Sequence, residues 1–191
     1  DCLLAVGDED LIKIHFHTNE PWKVLEYCAS LGEIYDIVIE DCRYGYCHSA
    51  LTCGSESIHN RNVIFRRSTM DQARILLHLK MRPDTPQKYE YILVEDIKGN
   101  AGDFIYVAPW TQFYNLGDRK DIPISYSNNI TMCNIDLDCT TFFNVKKSDQ
   151  YRLSDFCFED LNIRAKKGQF DKDIVDRFVV KNVKVNSQEV R

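Results

Sequence analysis

The sequence predicts a mainly β protein: a solenoid of stacked strands preceded by a small α/β segment. Two observations carry this prediction. Helix signals occur only before Gly32, and beyond it a single pattern of a polar turn, alternating apolar residues and a second polar turn recurs to the C-terminus. Each copy of the pattern is too short to bury its own apolar face, so neighbouring copies must stack to form a continuous core.

In the N-terminal segment the spacing of apolar residues changes within a few residues. An apolar run over residues 3–6, a polar turn over residues 7–10 and alternation over residues 11–16 predict a hairpin. Pro21 then begins a predicted helix and Gly32 ends it. The apolar residues expected on one face of this helix are Val24, Leu25, Cys28 and Leu31. The predicted local order is strand, strand, helix, strand.

Six copies of the repeated pattern follow, with anchors roughly 22 to 38 residues apart, a spacing typical of solenoids. They lie at residues 35–42, 61–67, 90–97, 128–135, 154–161 and 176–183. The longest interval contains an aromatic-rich insertion, residues 99–123, which in a solenoid emerges on one face and often builds a binding site. An immunoglobulin-like sandwich would also show many short strands. The repeated Asn/Asp residues around each apolar run favour the solenoid.

Composition and charge narrow the possible partners. The net charge of −5 argues against nucleic acid, because phosphate binding needs a concentrated basic face. No apolar segment approaches the roughly 20 residues that cross a bilayer. The chain begins at Asp1 with no visible secretory signal, so its location stays open. We expect no nucleic-acid partner and no membrane partner.

The cysteines show no paired spacing of the kind used for zinc or redox chemistry. Several alternate with apolar residues in strand-like runs, as small buried hydrophobic residues do. We expect free thiols and no structural disulfide. The eight positions are Cys2, Cys28, Cys42, Cys47, Cys53, Cys133, Cys139 and Cys157.

Two motifs in the repeat region are characteristic of one enzyme family. Residues 45–56, Gly-Tyr-Cys-His-Ser-Ala-Leu-Thr-Cys-Gly-Ser-Glu, are similar to the pectinase segment in which Gly-His-Gly is followed by a strand and Gly-Ser-Glu. Residues 77–80, Leu-His-Leu-Lys, stand where that family carries Arg-Ile-Lys. From about Asp36 onward the chain therefore resembles the last coils of the polygalacturonase family of glycoside hydrolases. The resemblance implies a partial right-handed parallel β-helix of the pectin-lyase type.

The chemistry that the resemblance implies is inverting hydrolysis of pectic polysaccharide by paired carboxylates. The family's Asn-Thr-Asp and Asp-Asp motifs are absent from this chain. The nearest acids before His48, Glu40 and Asp41, are better explained as turn residues. We therefore expect a truncated relative without its catalytic aspartates. The alternative is a non-catalytic β-solenoid that binds acidic carbohydrate or has a structural role.

The resemblance also suggests individual site residues. Lys80 would pair with a galacturonate carboxylate, and Tyr106 would stack on or hydrogen-bond a sugar. His48 is the candidate catalytic residue, next to the position of the missing acid. His78 is a candidate substrate-binding residue, although it gives up the bidentate fork of the family's arginine. The family implies no cofactor and no metal, a pectic oligosaccharide or polysaccharide as partner, and usually a secreted or periplasmic location.

The first forty residues resemble a different family. Residues 6–21 and 23–27 are similar to the middle domain of bacterial fatty-acid kinases of the dihydroxyacetone-kinase-like family. In that family a His-x-His pair can bind metal together with an earlier cysteine. Here His15 and His17 point to one face of a strand, but no matching cysteine precedes them, so a structural role is preferred. We divide the chain into a segment at residues 1–40 and β-helix coils at residues 41–191.

Overall fold

The computed structural model describes residues 3–7, 12–32, 34 and 36–190. It divides into two compact units, Asp1–Tyr35 and Asp36–Arg191. Gly7, the first residue of the predicted polar turn at residues 7–10, ends a strand, and residues 8–10 and Cys2 lie outside the described residues. No helix in the described ranges is long and apolar enough to span a membrane.

The first unit contains a hairpin and a helix at the predicted positions. Strands β1 (Leu3–Gly7) and β2 (Ile12–Phe16) pair in antiparallel fashion. Helix α1 (Pro21–Leu31) begins with proline, whose missing N–H costs nothing in the first turn. It ends where the Gly32 N–H donates to the Cys28 carbonyl at 3.2 Å. Within the helix no side chain is fully buried, and Leu31 on the predicted apolar face is exposed.

The second unit is mainly β and consists of long strands paired in parallel. Its strands are β3 (Ile37–Glu40), β4 (Arg43–Tyr44), β5 (Leu51–Cys53), β6 (His59–Met81), β7 (Lys88–Pro109), β8 (Ser125–Val145), β9 (Tyr151–Lys167), β10 (Val179–Val185) and β11 (Gln188–Val190). A 3-10 helix, Lys172–Ile174, precedes β10. The order across the sheet is β3-β6-β7-β8-β9-β10-β11, and β4 and β5 also pair with β6. Every pairing is parallel except that of β10 with β11.

The predicted repeat copies are confirmed as parallel neighbours. Val63 on β6 pairs with Ile92 on β7, Ile92 with Ile130 on β8, and Ile130 with Phe156 on β9. These four side chains are buried and form one continuous row of the core. A second row, two residues further along each strand, contains Phe65, Val94, Met132 and Phe158.

Left-handed residues interrupt the long strands at two stacked positions. The first corner row consists of Asn62, Tyr91, Asn129, Asp155 and Arg177; the second consists of Asp41, Arg67, Asp96, Asn134, Asp160 and Asn182. Each has a φ between 49° and 57°, a conformation that Asn and Asp adopt more readily than most residues. The repeated Asn and Asp residues of the sequence pattern therefore mark corners in the strands.

A corner residue keeps apolar side chains on the inside of the stack. Phe65 is buried, so strict alternation of inward and outward side chains would bury Arg67 as well. The left-handed corner at Arg67 shifts this alternation by one residue, and Ser68 is buried instead. Hydrogen bonds also connect corner residues of neighbouring strands. Asn182 donates to Asp160 at 2.6 Å, and Arg67 donates to both carboxylate oxygens of Asp41 at 2.9 and 2.8 Å.

Glu40 and Asp41 are strand-end and corner residues bound to arginines, as the sequence indicates for turn residues. The Arg66 guanidinium donates to Glu40 at 2.8 Å, and Arg67 contacts both carboxylates. These hydrogen bonds hold the pKa of each carboxyl group below its usual value. Both groups are therefore ionised near neutral pH and are poorly suited to donating a proton.

The corner conformation predicts unequal losses of stability for two substitutions at Asn129. Asn129→Val should lower the free energy of unfolding by about 1–2 kcal/mol, because a β-branched residue is disfavoured at positive φ. Asn129→Gly should have a much smaller effect, since glycine adopts this conformation freely. Urea denaturation measures both. Equal losses would contradict the assigned role of the backbone conformation.

Of the glycines in β7, Gly99 should tolerate substitution least. Its φ is 121°, and an added Cβ would lie 2.0 Å from the Met70 carbonyl oxygen of the neighbouring strand. We expect Gly99→Ala to lower the free energy of unfolding by about 3 kcal/mol, through backbone strain and a forced separation of two strands. Gly117→Ala is the control, since Gly117 also has a positive φ but no atom within 4 Å of the added Cβ. Denaturant unfolding measures the loss of stability in both variants. Gly117→Ala reports backbone strain alone, so any additional loss in Gly99→Ala reports the steric clash with Met70.

Candidate functional site

A groove of about 570 Å³ lies on the second unit, next to the outward side chains of β6 and β7. Its lining includes His48, Arg74, His78 and Tyr106, and Trp110 comes from the loop after β7. This loop belongs to the aromatic insertion that the sequence suggested as a binding element. Three of the four predicted site residues therefore line one groove.

Parallel register brings the predicted residues together. His78 pairs with Thr52 on one side and with Tyr106 on the other, and Tyr106 pairs with Asn144. Leu77 and Leu79 on either side of His78 are fully buried in the core, so alternation directs His78 to the opposite face. Residues far apart in sequence thus form a single row across the outer face.

Aromatic rings cluster around His78. The His48 ring is stacked on His78 with centroids 5.6 Å apart, and the Tyr106 centroid lies 4.9 Å from that of His78. The Trp110 centroid lies 6.4 Å away. The Lys80 ammonium lies over the indole of Trp110, 4.5 Å from its centroid, so Lys80 is next to the groove through a cation–π contact.

His78 is buried and uncharged. Only 3% of its surface is exposed, and burial, together with the positive charges of Lys80 and His48, lowers the pKa of His78 to about 3. Its Nδ1 atom is buried without a hydrogen-bond partner, and so is Nε1 of Trp110. Buried polar atoms are nearly always paired, so two unpaired atoms beside one groove indicate a place where a ligand or water completes the hydrogen bonding.

His48 contacts no carboxylate in the described structure. Its Nδ1 lies 2.8 Å from the Ser49 hydroxyl. His48 is exposed, although its ring is stacked on that of His78. Burial against its neighbours lowers the pKa of His48, and the charges of Arg74 and Lys80 lower it further. The imidazole is thus mainly neutral at pH 7. Its catalytic role stays a prediction.

Arg74 and Asp103 are lining residues that the motif comparison missed. Arg74 is exposed, and no carboxylate of the described residues pairs with its guanidinium. Asp103 accepts a hydrogen bond from Asn144 at 3.0 Å. Neither belongs to a short motif. Two features of the sequence could have indicated them: Arg74 lies four residues before His78, and Asp103 lies inside the predicted insertion.

A partly buried ion pair anchors the loop that carries Trp110. Arg82 pairs with Asp84 at 2.7 Å, and their side chains are only 12% and 13% exposed. Asp84 also accepts the backbone N–H of Asn115 at 3.2 Å, and its carbonyl accepts from Arg119 at 2.9 Å. The hydrogen bond from Arg82 holds the pKa of Asp84 far below its usual value. Asp84 therefore connects the end of β6 to two points of the loop.

His15 and His17 of the first unit are a pair of possible metal ligands on one strand. Nε2 of His15 and Nε2 of His17 lie 3.1 Å apart on β2. A zinc site needs three or four protein ligands, and the described residues contain no group of three His, Cys, Asp or Glu side chains that could hold a metal. Within the described residues His15 and His17 therefore have no third ligand, and their structural role stays a prediction.

The cysteines of the described ranges have free thiols. Cys53 and Cys139 are buried, and burial raises the pKa of each thiol to about 12. These two residues therefore act as small core side chains, and neither is a nucleophile at neutral pH.

Comparison with known proteins concerns the N-terminal part of the chain. Residues 1–50 match the family model of the FakA-like middle domain, which is named for a fatty acid kinase. Over 43 residues the chain is 46% identical to protein YloV of Bacillus subtilis strain 168. It is 40% identical over 43 residues to an uncharacterized protein of Staphylococcus aureus strain USA300. The kinase-like resemblance of this segment is confirmed.

The matched segment is a small part of both partners. It covers 22% of this chain and 8% of each of these relatives. The family match also continues to residue 50, beyond the end near residue 40 that the sequence suggested. It therefore includes β3 and β4, which pair in parallel with β6 of the second unit.

Loss of the Asp84 carboxylate should loosen the loop. In a Trp22→Phe background, where Trp110 is the remaining tryptophan, Asp84→Asn should increase quenching of Trp110 fluorescence by acrylamide, because the charge-assisted bond to Arg82 is lost. Asp118→Asn, in the same loop and exposed, is the control. Equal quenching in both variants would contradict the anchor.

The same carboxylate predicts a pH dependence of stability. Its pKa is lowered in the folded state, so its contribution is complete above the unfolded value of about 3.9 and is lost as pH falls towards the folded value. The difference in free energy of unfolding between the native chain and Asp84→Asn should therefore shrink below about pH 4. Denaturation at pH 3 and pH 7 measures it. A constant difference would mean that the charge of Asp84 does not stabilise the fold.

Proposed function

We propose that the second unit is a right-handed parallel β-helix whose groove binds acidic carbohydrate of the pectic class without hydrolysing it. Two observations support the fold part of this proposal. Corner residues that are 22 to 38 residues apart in sequence lie next to each other on parallel strands, and each long strand has two corners. A right-handed course is the usual one for parallel strands joined by crossovers. The polygalacturonase-like motifs supply the substrate class.

One observation carries the functional proposal: two cations lie beside an aromatic groove, and neither forms an ion pair within 4.0 Å in the described residues, although the Glu56 carboxylate is near enough to Lys80 for the two charges to interact. Arg74 lines the groove, and Lys80 is held over Trp110. The chain as a whole has a net charge of −5, so this local excess of positive charge is not a property of the general surface. An oligouronate offers a carboxylate for each of the two cations and sugar rings for stacking on Trp110 and Tyr106.

The groove does not provide the carboxylates that inverting hydrolysis requires. That mechanism uses two carboxyl groups roughly 6.5–9.5 Å apart. Asp103 is the one carboxylate among the lining residues, and it accepts a hydrogen bond from Asn144. Glu40 and Asp41 are engaged by arginines. These observations favour the non-catalytic form of the proposal, in which His48 contributes to binding.

The proposal predicts binding without turnover. Calorimetry should show binding of trigalacturonate, and a reducing-end assay on polygalacturonic acid should show no release above background. Lys80→Ala and Arg74→Ala should each weaken trigalacturonate binding about tenfold or more, because each removes a charge-assisted hydrogen bond. Lys184→Ala on β10 is the matched control and should bind normally. Unchanged affinity in both groove variants would remove the cations from the site.

A further inference from the structure

The walls of the groove belong to two rows of side chains that cross the parallel strands. Matching positions on neighbouring strands lie about 4.8 Å apart, so each row extends as far as the strands do. Thr140 is the lining residue on β8, and the groove therefore reaches this strand. One row consists of Arg74, Gly102, Thr140 and Lys166, and the other consists of Lys80, Ala108 and Lys146. The lysine at the end of each row is thus the direct neighbour of a lining residue.

Both lysines at the row ends point outward. Ala165 and Val145 are buried in the core, and the residue that follows each of them, Lys166 or Lys146, is exposed. Each is followed in turn by a second exposed lysine. We call these four residues the lysine extension: Lys146, Lys147, Lys166 and Lys167. The lysine extension continues the positive charge of the groove to roughly 14 Å from β6, which is three strand spacings.

The fold does not neutralise the lysine extension. None of its four ammonium groups forms an ion pair within 4.0 Å in the part of the chain that the structure describes. Two nearby acids have other partners, since Asp138 is bound to Arg164 and Asp103 accepts a hydrogen bond from Asn144. Asp149, in the loop after β8, is exposed. The lysine extension therefore keeps a local excess of positive charge in a chain whose net charge is −5.

Other charged rows of the same sheet pair opposite signs. The Arg66 guanidinium lies between Glu40 and Glu95, with N–O distances of 2.8 and 3.8 Å. The Lys181 ammonium lies 3.7 Å from Glu159. Like charges on adjacent strands are destabilising, and in the groove rows it is neutral residues that separate the cations. Such rows fit a linear ligand that supplies anionic groups at intervals along its length.

We propose that the groove and the lysine extension form one binding track for a polyuronate chain that runs across β6 to β9. Arg74, Lys80 and Trp110 bind one part of the polymer, and the lysine extension binds the uronates that follow. This inference rests on the proposed carbohydrate function and deepens it, because it adds further subsites and a course across the strands. A polyuronate fits the track since each of its sugars has a carboxylate, and a chain in this orientation meets both rows of cations.

The test measures binding of trigalacturonate and hexagalacturonate by calorimetry. Lys146→Ala combined with Lys166→Ala should weaken hexagalacturonate binding about fivefold or more, because two exposed charge pairs are lost. Trigalacturonate, bound at Arg74, Lys80 and Trp110, should lose much less affinity. A hexamer offers several binding frames of trimer length, so the comparison between variants decides, not the comparison between the two ligands.

Lys98→Ala combined with Lys184→Ala is the matched control. It removes the same charge from exposed lysines on β7 and β10 that do not line the groove, and it should leave hexagalacturonate binding unchanged. Added salt should weaken hexagalacturonate binding more steeply in the native chain than in the variant without Lys146 and Lys166, since the variant has fewer ion pairs to screen. Thermal unfolding checks that both variants are folded.

Two other hexamers test the chemical class of the polymer. Hexaglutamate has carboxylates but no sugar rings, and a single-stranded DNA hexamer has rings but phosphates in place of carboxylates. Both should bind more weakly than hexagalacturonate. Equal or tighter binding of either one would overturn the assignment of the track to a polyuronate.

The outcomes separate the two proposals. The track is overturned, and the carbohydrate function stands, if the native chain binds both galacturonates and loss of Lys146 and Lys166 weakens hexagalacturonate binding no more than the control does. If the native chain binds neither galacturonate, the carbohydrate function is overturned, and the track with it.

Discussion

The parallel register of β6 to β9 is the constraint on which the second unit depends. Each strand can bury its apolar residues only if its neighbours have the same phase, because a slip of one residue turns every side chain to the other face. The left-handed corner residues maintain that phase across each bend, and the hydrogen bonds between corner residues of adjacent strands keep them aligned. Core rows such as Val63, Ile92, Ile130 and Phe156 follow from this alignment.

The groove is a consequence of the same register. Alternation places His78 and Tyr106 on the outer face because Leu77, Leu79 and Val107 occupy the inner one. The loop after β7 then positions Trp110 beside His78, and the Arg82–Asp84 pair holds that loop against the end of β6. The chemical character of the site therefore depends on an ion pair whose residues do not line the groove.

The FakA-like family match and the parallel sheet share one segment. Residues 1–50 match the FakA-like middle domain, yet Ile37–Glu40 within that range pairs in parallel with β6. A short Ile-Val-Ile-Glu run has high β propensity and alternating faces, so it can serve as a strand in either setting. Local sequence therefore does not decide which neighbour such a strand pairs with. The pairing depends on which strand offers a free edge in the folded chain.

The sequence by itself determined the strand content and the repeat copies, because alternation is a local property. Its Asn and Asp residues mark most of the corners, whereas Arg67, Tyr91 and Arg177 occupy the others without such a signal. It also suggested His48, His78, Lys80 and Tyr106 as a group, through motifs. Only the tertiary structure decided that His78 is buried and neutral, that Lys80 lies over Trp110, and that Arg74 and Asp103 line the same groove. Burial and electrostatic environment arise from residues of different strands and loops, and no local pattern encodes which of them will be neighbours.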